Sequence, residues 1–207
     1  MRDLDIIVGI PSYNNADTIR FVVEQVDSGL CKYFPKMRAL IVDSDGKSSD
    51  GTRKAFEGTE TKTEKRFVHY SNSVSGKGSA FKEIWEIGLQ HGVKYFVVVD
   101  SDLRSIKPEW VKRMIEPLLN GTDYCTPYYS RHKYDGMITN QVCFPITYGL
   151  FCHNIRQPIG GDFSFSSRLA EFWLKRADWK SDVARFGIDI FMTTNAVLNG
   201  FRVKQVF

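Results

Sequence analysis

Asp100-Ser101-Asp102 sets two carboxylates one residue apart at the end of an apolar run, Tyr95-Phe96-Val97-Val98-Val99. Acids so placed can hold a hard divalent cation, because Mg²⁺ takes one or two carboxylates and completes its shell with water and phosphate oxygens. They can equally close a turn, since Asp and Ser commonly follow strands. Lys77, between Gly76 and Gly78, offers the opposite sign: a full positive charge beside glycines that let backbone amides approach an anion at a helix start. It is not a P-loop lysine, because Ser71 stands where the first glycine belongs and Gly78 follows where Ser or Thr is needed. The loop Asp43-Ser44-Asp45-Gly46-Lys47-Ser48-Ser49-Asp50-Gly51-Thr52 is a second acidic, hydroxyl-rich stretch. It fails as an EF-hand, with Gly46 at the fourth position of the run where the sixth is required.

These groups become a site only if the chain brings them together, and its periodicity supplies the means. Asp5 to Ile10 reads as a strand broken by Pro11-Ser12-Tyr13-Asn14-Asn15, before a helix with Ile19, Val22, Val23 and Val26 on one face and Asn15 or Asp17 as N-cap. Met37 to Asp43 is a second strand and Phe67 to Tyr70 a third. Phe81, Ile84, Trp85 and Leu89 recur at helical spacing after Gly-Lys-Gly. The run ending at Asp100 is a strand buried on both faces, and Pro108 opens a helix closing near Asn120-Gly121. Repeated β-α units predict a mostly parallel central sheet with helices on both faces, with ligands outside the carboxyl ends of the strands.

The alternation breaks after Thr122. A short strand near Tyr124 to Tyr128 leads to a polar segment, Ser130 to Gly136, and Ile138 to Asn154 reads as a helix kinked at Pro145. Phe163 to Phe165 is extended, Arg168 to Arg176 helical, and Gly187-Ile188-Asp189 precedes a helix through Ala196. Gly200 to Phe207 reads as a strand cut off in the middle, as in a trimmed fragment. The chain reads as one domain, 1–207, with one half at 1–128 and a second at 129–207.

A formal net charge of +4 over 207 residues is too small and too dispersed for a nucleic-acid surface, although it suits an anionic small substrate. Val142 to Phe151 is too short to span a bilayer and contains Pro145 and Gly149. Cys31, Cys125, Cys143 and Cys152 show no CxxC spacing and read as reduced packing residues of a cytoplasmic protein.

Taken together, Pro11-Ser12-Tyr13-Asn14, Val42-Asp43-Ser44 with Ser49-Asp50-Gly51-Thr52, Gly76-Lys77-Gly78 and Asp100-Ser101-Asp102 resemble, in order, the loops of GT-A glycosyltransferases of the family 2-like branch. With Arg156-Gln157-Pro158-Ile159-Gly160-Gly161-Asp162, the set is closer still to the glucosyl-3-phosphoglycerate synthase and mannosylglycerate synthase relatives. The resemblance implies a GT-A fold, with a nucleotide-binding half at 1–128 and an acceptor-side half at 129–207, and transfer of a sugar from a UDP-sugar or GDP-sugar to an acceptor hydroxyl, with Mg²⁺ or Mn²⁺. Pro11, Tyr13, Asn14 and Asn15 would line the base and ribose pocket, with Asp43 accepting a hydrogen bond from the base and Ser44 beside it. Gly76 and Lys77 would sit against base or diphosphate, Asp100 and Ser101 against ribose or a metal-bound water, and Asp102 on the metal. Asp162 would bind donor-sugar hydroxyls and Asp189 would lie near the acceptor. Helix capping or loop solvation remains the plain alternative for both.

Two departures from the family pattern matter. Asn15 stands where a Glu is expected, so one amide replaces a charge that often holds ribose. The relatives' metal-binding histidine falls beyond Phe207, and His132 and His153 read as surface or packing residues. A third difference concerns the acceptor. Gly136-Met137-Ile138-Thr139 replaces a Gly-Arg-Val-Thr segment, so a phosphorylated acceptor loses a charge-assisted contact unless Arg131 or Lys133 compensates. Two other functions compete: a non-catalytic nucleotide-sugar-binding module, and a sugar-phosphate nucleotidyltransferase, whose Gly-rich, Arg-containing first loop is missing here. A homodimer is compatible with either class.

Overall fold

The computed structural model describes residues 4–130, 132 and 134–206. Seven strands, β1 (Ile6–Ser12), β2 (Ala39–Asp45), β3 (Glu64–His69), β4 (Tyr95–Val98), β5 (Tyr124–Pro127), β6 (Phe163–Ser166) and β7 (Val203–Val206), form one sheet in the order β3-β2-β1-β4-β6-β5-β7. All neighbours are parallel except β6, which runs antiparallel to both β4 and β5. Among the described residues seven α-helices accompany it: α1 (Ile19–Tyr33), α2 (Thr52–Glu57), α3 (Lys77–Gln90), α4 (Pro108–Leu119), α5 (Phe144–Phe151), α6 (Ser167–Arg176) and α7 (Ile188–Leu198).

Side-chain alternation sorts the strands' apolar residues onto two faces. Ile6, Val8, Ile10, Ile41 and Val97 pack with Ile19, Val22, Val23 and Val26 of α1 and Val111 and Ile115 of α4. Ile7, Val42, Phe96 and Val98 pack on the other face with Phe81, Ile84 and Trp85 of α3, Trp173 of α6 and Met192 of α7. The strands covered on both faces are therefore continuously apolar, as the sequence predicts.

Several boundaries move. β2 begins at Ala39 instead of Met37 and continues to Asp45, because Asp43 and Asp45 still pair in register with Ile10 and Ser12. The N-cap of α1 is Thr18, neither Asn15 nor Asp17; Thr18 and Ile19 N–H groups donate to the Asn15 carbonyl, forming a preliminary turn. The predicted kinked helix from Ile138 to Asn154 is a π turn over Thr139–Cys143 followed by α5. Pro145 falls in the first turn of α5, where its missing N–H is tolerated, and Cys152, at φ 56°, ends the helix early. Cys152 is exposed and is not the packing residue expected of it. The extended piece at Phe163 proves to be the inserted antiparallel strand.

Trp85 anchors the second core, with ring neighbours Phe165, Trp173 and Trp179 at centroid distances of 5.6, 5.3 and 5.8 Å. Its indole nitrogen is buried without a partner, so the ring's bulk and not its N–H is what the core uses. Trp85→Ala is expected to lower stability by about 3–5 kcal/mol in urea unfolding, whereas Trp85→Phe retains most of it; equal losses would show that the indole itself is required.

Candidate active site

The carboxyl ends of β1, β2 and β4 open into a cleft of about 760 Å³. Pro11, Ser12, Tyr13 and Asn15 form its first wall. Tyr13 stands 65% exposed, and its ring lies so close to Gly46 that a Cβ there would sit 3.1 Å from it. Asn15 turns its side-chain oxygen inward, accepting from the Tyr13 N–H at 2.9 Å and the Ser101 hydroxyl at 2.8 Å. The amide that replaces the expected Glu thus ties the first loop to Asp100-Ser101-Asp102.

Asn14, Asp43 and Ser44 do not line the cleft. Asn14, at φ 55°, is turned toward the loop after β2: its N–H donates to Ser48 Oγ at 2.8 Å and its side-chain oxygen accepts from Ser49 N–H at 3.0 Å. Asp43 and Ser44 are wholly buried because β2 continues through them. Asp43 accepts from Ser12 Oγ at 2.5 Å while its other oxygen has no partner; it reaches the cleft only through Ser12. Burial first, and then the neighbouring Asp45 carboxylate, push its pKa up to about 7 against the opposing effect of Ser12.

Gly76-Lys77-Gly78 starts α3, but its glycine amides are not free for an anion. Gly78 N–H donates to Arg185 O at 2.9 Å and Gly76 N–H to Tyr70 Oη at 3.3 Å. A Cβ on Gly78 would fall 1.9 Å from the Val183 carbonyl. The glycines let α3 dock against the 183–185 segment, and the lysine carries the chemistry. Lys77 Nζ lies 3.1 Å from Asp100, 3.5 Å from Asp189 and 2.9 Å from the Gly160 carbonyl. Burial alone would lower its pKa; Asp100 and Asp189 outweigh that and hold it raised.

Asp162 and Asp189 prove to be neither surface caps nor loop-solvating groups. Because β6 is antiparallel to β4 and pairs Phe163 with Val98, the residue before β6 sits beside the residues after β4. Asp162 is fully buried and accepts from the Tyr129 hydroxyl. Asp189, in the first turn of α7, is only 9% exposed. Burial, aided by Asp100, raises Asp162 to about 7; burial raises Asp189 to about 6 despite the Lys77 charge. Gly161 stands so close that a Cβ would meet Asp100 Oδ2 at 1.9 Å.

Asp102 is exposed on the cleft wall, and Asp100 is committed to Lys77. No group of three or more Asp, Glu, His or Cys side chains able to hold a metal occurs among the described residues. One carboxylate with substrate oxygens is nevertheless a fitting Mg²⁺ or Mn²⁺ set, and Asp102 fits it better than the ion-paired Asp100. The sequence reading missed Gly46, Lys47, Tyr70, Ser75 and Phe186 as cleft residues. Phe186 had no signal in spacing, because its loop reaches the cleft only through the docking of 183–185 against Gly78.

The sheet is that of a GT-A fold. Glucosyl-3-phosphoglycerate synthase from Mycobacterium tuberculosis shares the fold: its structure with Mn²⁺, UDP and phosphoglyceric acid matches with a TM-score of 0.73 at 21% identity, over 98% of this chain and 68% of that one. Its complex with Mn²⁺, UDP-glucose and phosphoglyceric acid gives 0.73 at 20% identity, over 98% and 69%. A further mycobacterial protein of solved structure gives 0.73 at 22%, over 98% and 65%. No curated protein sequence matches. The glycosyltransferase-domain model of mannosylglycerate synthase matches residues 33–207, and the chain belongs to that family.

The buried Asp43 yields a pH prediction. Its folded pKa lies above its ordinary 3.8, so the folded state keeps a proton that the unfolded chain releases, and stability falls as pH rises from about 4 to about 7. Asp43→Asn is expected to remove Asp43's share of that decline, up to a few kcal/mol, in thermal unfolding at pH 5 and 8, leaving the shares of Asp162 and Asp189, whose pKa values are raised as well. A decline unchanged in the variant would place the titration elsewhere.

Proposed function

We propose that the chain transfers a sugar from a nucleoside diphosphate sugar to an acceptor hydroxyl, with the nucleotide in the cleft between Tyr13, Gly76 and Asp102. The observation that carries this reading is the convergence of an exposed aromatic ring, a buried ammonium and an exposed carboxylate on one cleft at the strands' carboxyl ends. Tyr13 stacks on the base, with Ser12 and Pro11 at its edge, and Asn15 and Ser101 face the ribose. Lys77 offsets diphosphate charge, and Asp162 and Asp189 beside it orient donor-sugar and acceptor hydroxyls. Asp102 holds Mg²⁺ or Mn²⁺ against the diphosphate; the metal there neutralises charge growing on the leaving group. Residues 1–128 then form the nucleotide half and 129–207 the acceptor half. UDP with Mn²⁺ in the solved synthase favours a UDP-sugar, with a GDP-sugar the second donor to assay.

Met137, 57% exposed and uncharged, stands where the resemblance calls for a phosphate-gripping arginine. An uncharged or differently charged hydroxyl compound therefore suits the site better than 3-phosphoglycerate; Arg131 and Lys133 lie outside the described residues. The four cysteines are free thiols, which suits a cytoplasmic location, and no described helix is long and apolar enough to cross a membrane.

Ile138, Val142, Ile146 and Leu150, 49–69% exposed and four residues apart, form a ridge along the π turn and α5. No charged residue occurs from Met137 to Cys152. An exposed apolar ridge of this kind supports a homodimer in which it packs on its own copy across a two-fold axis. Light scattering is expected to give a dimer mass that Ile146→Glu halves; a monomer at every concentration tested would end that reading.

Metal dependence tests the donor site. Asp102→Asn is expected to weaken UDP binding about tenfold or more with Mn²⁺ present and to leave metal-free binding nearly unchanged in calorimetry. Equal loss in both conditions would reject Asp102 as the metal's carboxylate.

A further inference from the structure

A second cavity, about 590 Å³, lies on the opposite side of Asp100 from the nucleotide cleft. Asp100 lines both spaces, and Gly161 joins it on the second. Trp110 and Met114 enter from the first turns of α4, and Tyr128 and Tyr129 from the chain leaving β5. The Trp110 and Tyr129 rings stand 5.9 Å apart at 36°. Tyr129 is fixed by its hydroxyl bond to Asp162, and Trp110 by packing against the core shared by α1 and α4. The two rings are thus held rigidly before any ligand arrives, in a wall that also carries Ser105, Ser130 and Arg113.

Size and lining both select the ligand. The volume lies within the roughly 300–1,000 Å³ of clefts that bury drug-sized molecules and is several times what a three-carbon acid fills. Among the described residues a multiply charged phosphate would meet one guanidinium here, together with the Asp100 carboxylate, two serine hydroxyls and otherwise apolar or aromatic surface, a costly exchange for its water. A pyranose ring presents an apolar C–H face for an aromatic plate and equatorial hydroxyls for serines and a carboxylate.

We propose that this cavity, at the seam where residues 129–207 meet α4 and β5 of the first half, is the acceptor subsite and that it takes a neutral, ring-shaped polyol, a glycoside or monosaccharide, stacked on Trp110 and Tyr129 with one hydroxyl directed toward Asp100 and Gly161. The proposal rests on the glycosyltransferase reading for its catalytic meaning, whereas the binding it predicts stands independently.

The test uses the full chain and four probes: methyl α-D-glucopyranoside, methyl α-D-mannopyranoside, D-glycerate and 3-phosphoglycerate. Saturation-transfer NMR, with and without UDP and Mn²⁺, is expected to show at least one glycoside bound. Trp110→Ala should weaken that binding about tenfold or more, and Trp110→Phe, which keeps a ring, should retain most of it. Calorimetric UDP affinity should be the same in all three proteins, which shows that they are folded. Glycosides that give no signal, or a signal indifferent to Trp110→Ala, overturn the proposal, as does binding confined to D-glycerate or 3-phosphoglycerate. Glycoside binding that depends on Trp110 supports the subsite even where UDP fails to bind; failure of UDP counts against the donor reading alone.

Discussion

One buried ammonium holds the site together. Lys77 Nζ takes contacts from Asp100 after β4, from Asp189 on α7 and from the carbonyl of Gly160 before β6, with Asp162 close enough to act on it. Three carboxylates around one cation leave a local excess of negative charge, and in a buried setting that excess is relieved by protonation or by a further cation. Burial above all, and then the neighbouring Asp100 charge, raise the pKa values of Asp162 and Asp189, and Asp162 is further tied by Tyr129. Without Lys77 the acids of three separate elements would have no common partner.

That convergence depends on two packing features. The antiparallel insertion of β6 places Asp162 beside Asp100 across about sixty residues of sequence. The absence of side chains at Gly76 and Gly78 lets α3 touch the 183–185 segment, which fixes where α7, and so Asp189, begins.

Much of this was legible in the sequence, and unevenly so. The parallel β-α repeats and the loops at their carboxyl ends follow from periodicity, because continuous apolar runs and amphipathic helices leave little choice of arrangement. Lys77, Asp100, Ser101, Asp102, Tyr13 and Asn15 came from the same loops and do line the cleft. Asp43 and Ser44 lie off the cleft wall for a local reason: the strand carrying them runs two residues further than the sequence predicts, turning both side chains into the structure, whereas Asn14 stays exposed and is turned aside by its bonds to Ser48 and Ser49. The aromatic cavity had no sequence signature at all. Its walls come from α4, the chain after β5 and the turn before β6, which meet only once β6 has entered the sheet.

The two acids of Asp100-Ser101-Asp102 therefore carry different burdens, which their spacing alone conceals. A divalent ion placed on Asp100 would sit beside the Lys77 ammonium, 3.1 Å from that carboxylate, bringing two cations together in a partly buried volume. Asp102 has no such partner to lose among the described residues and faces the cleft. Ser101 between them is buried and gives its hydroxyl to Asn15, so the segment cannot swing to present both carboxylates to one ion without breaking the tie to the first loop. The geometry favours a division in which Asp102 meets the metal and the donor's phosphates, while Asp100, held by Lys77, forms the wall shared by the two cavities.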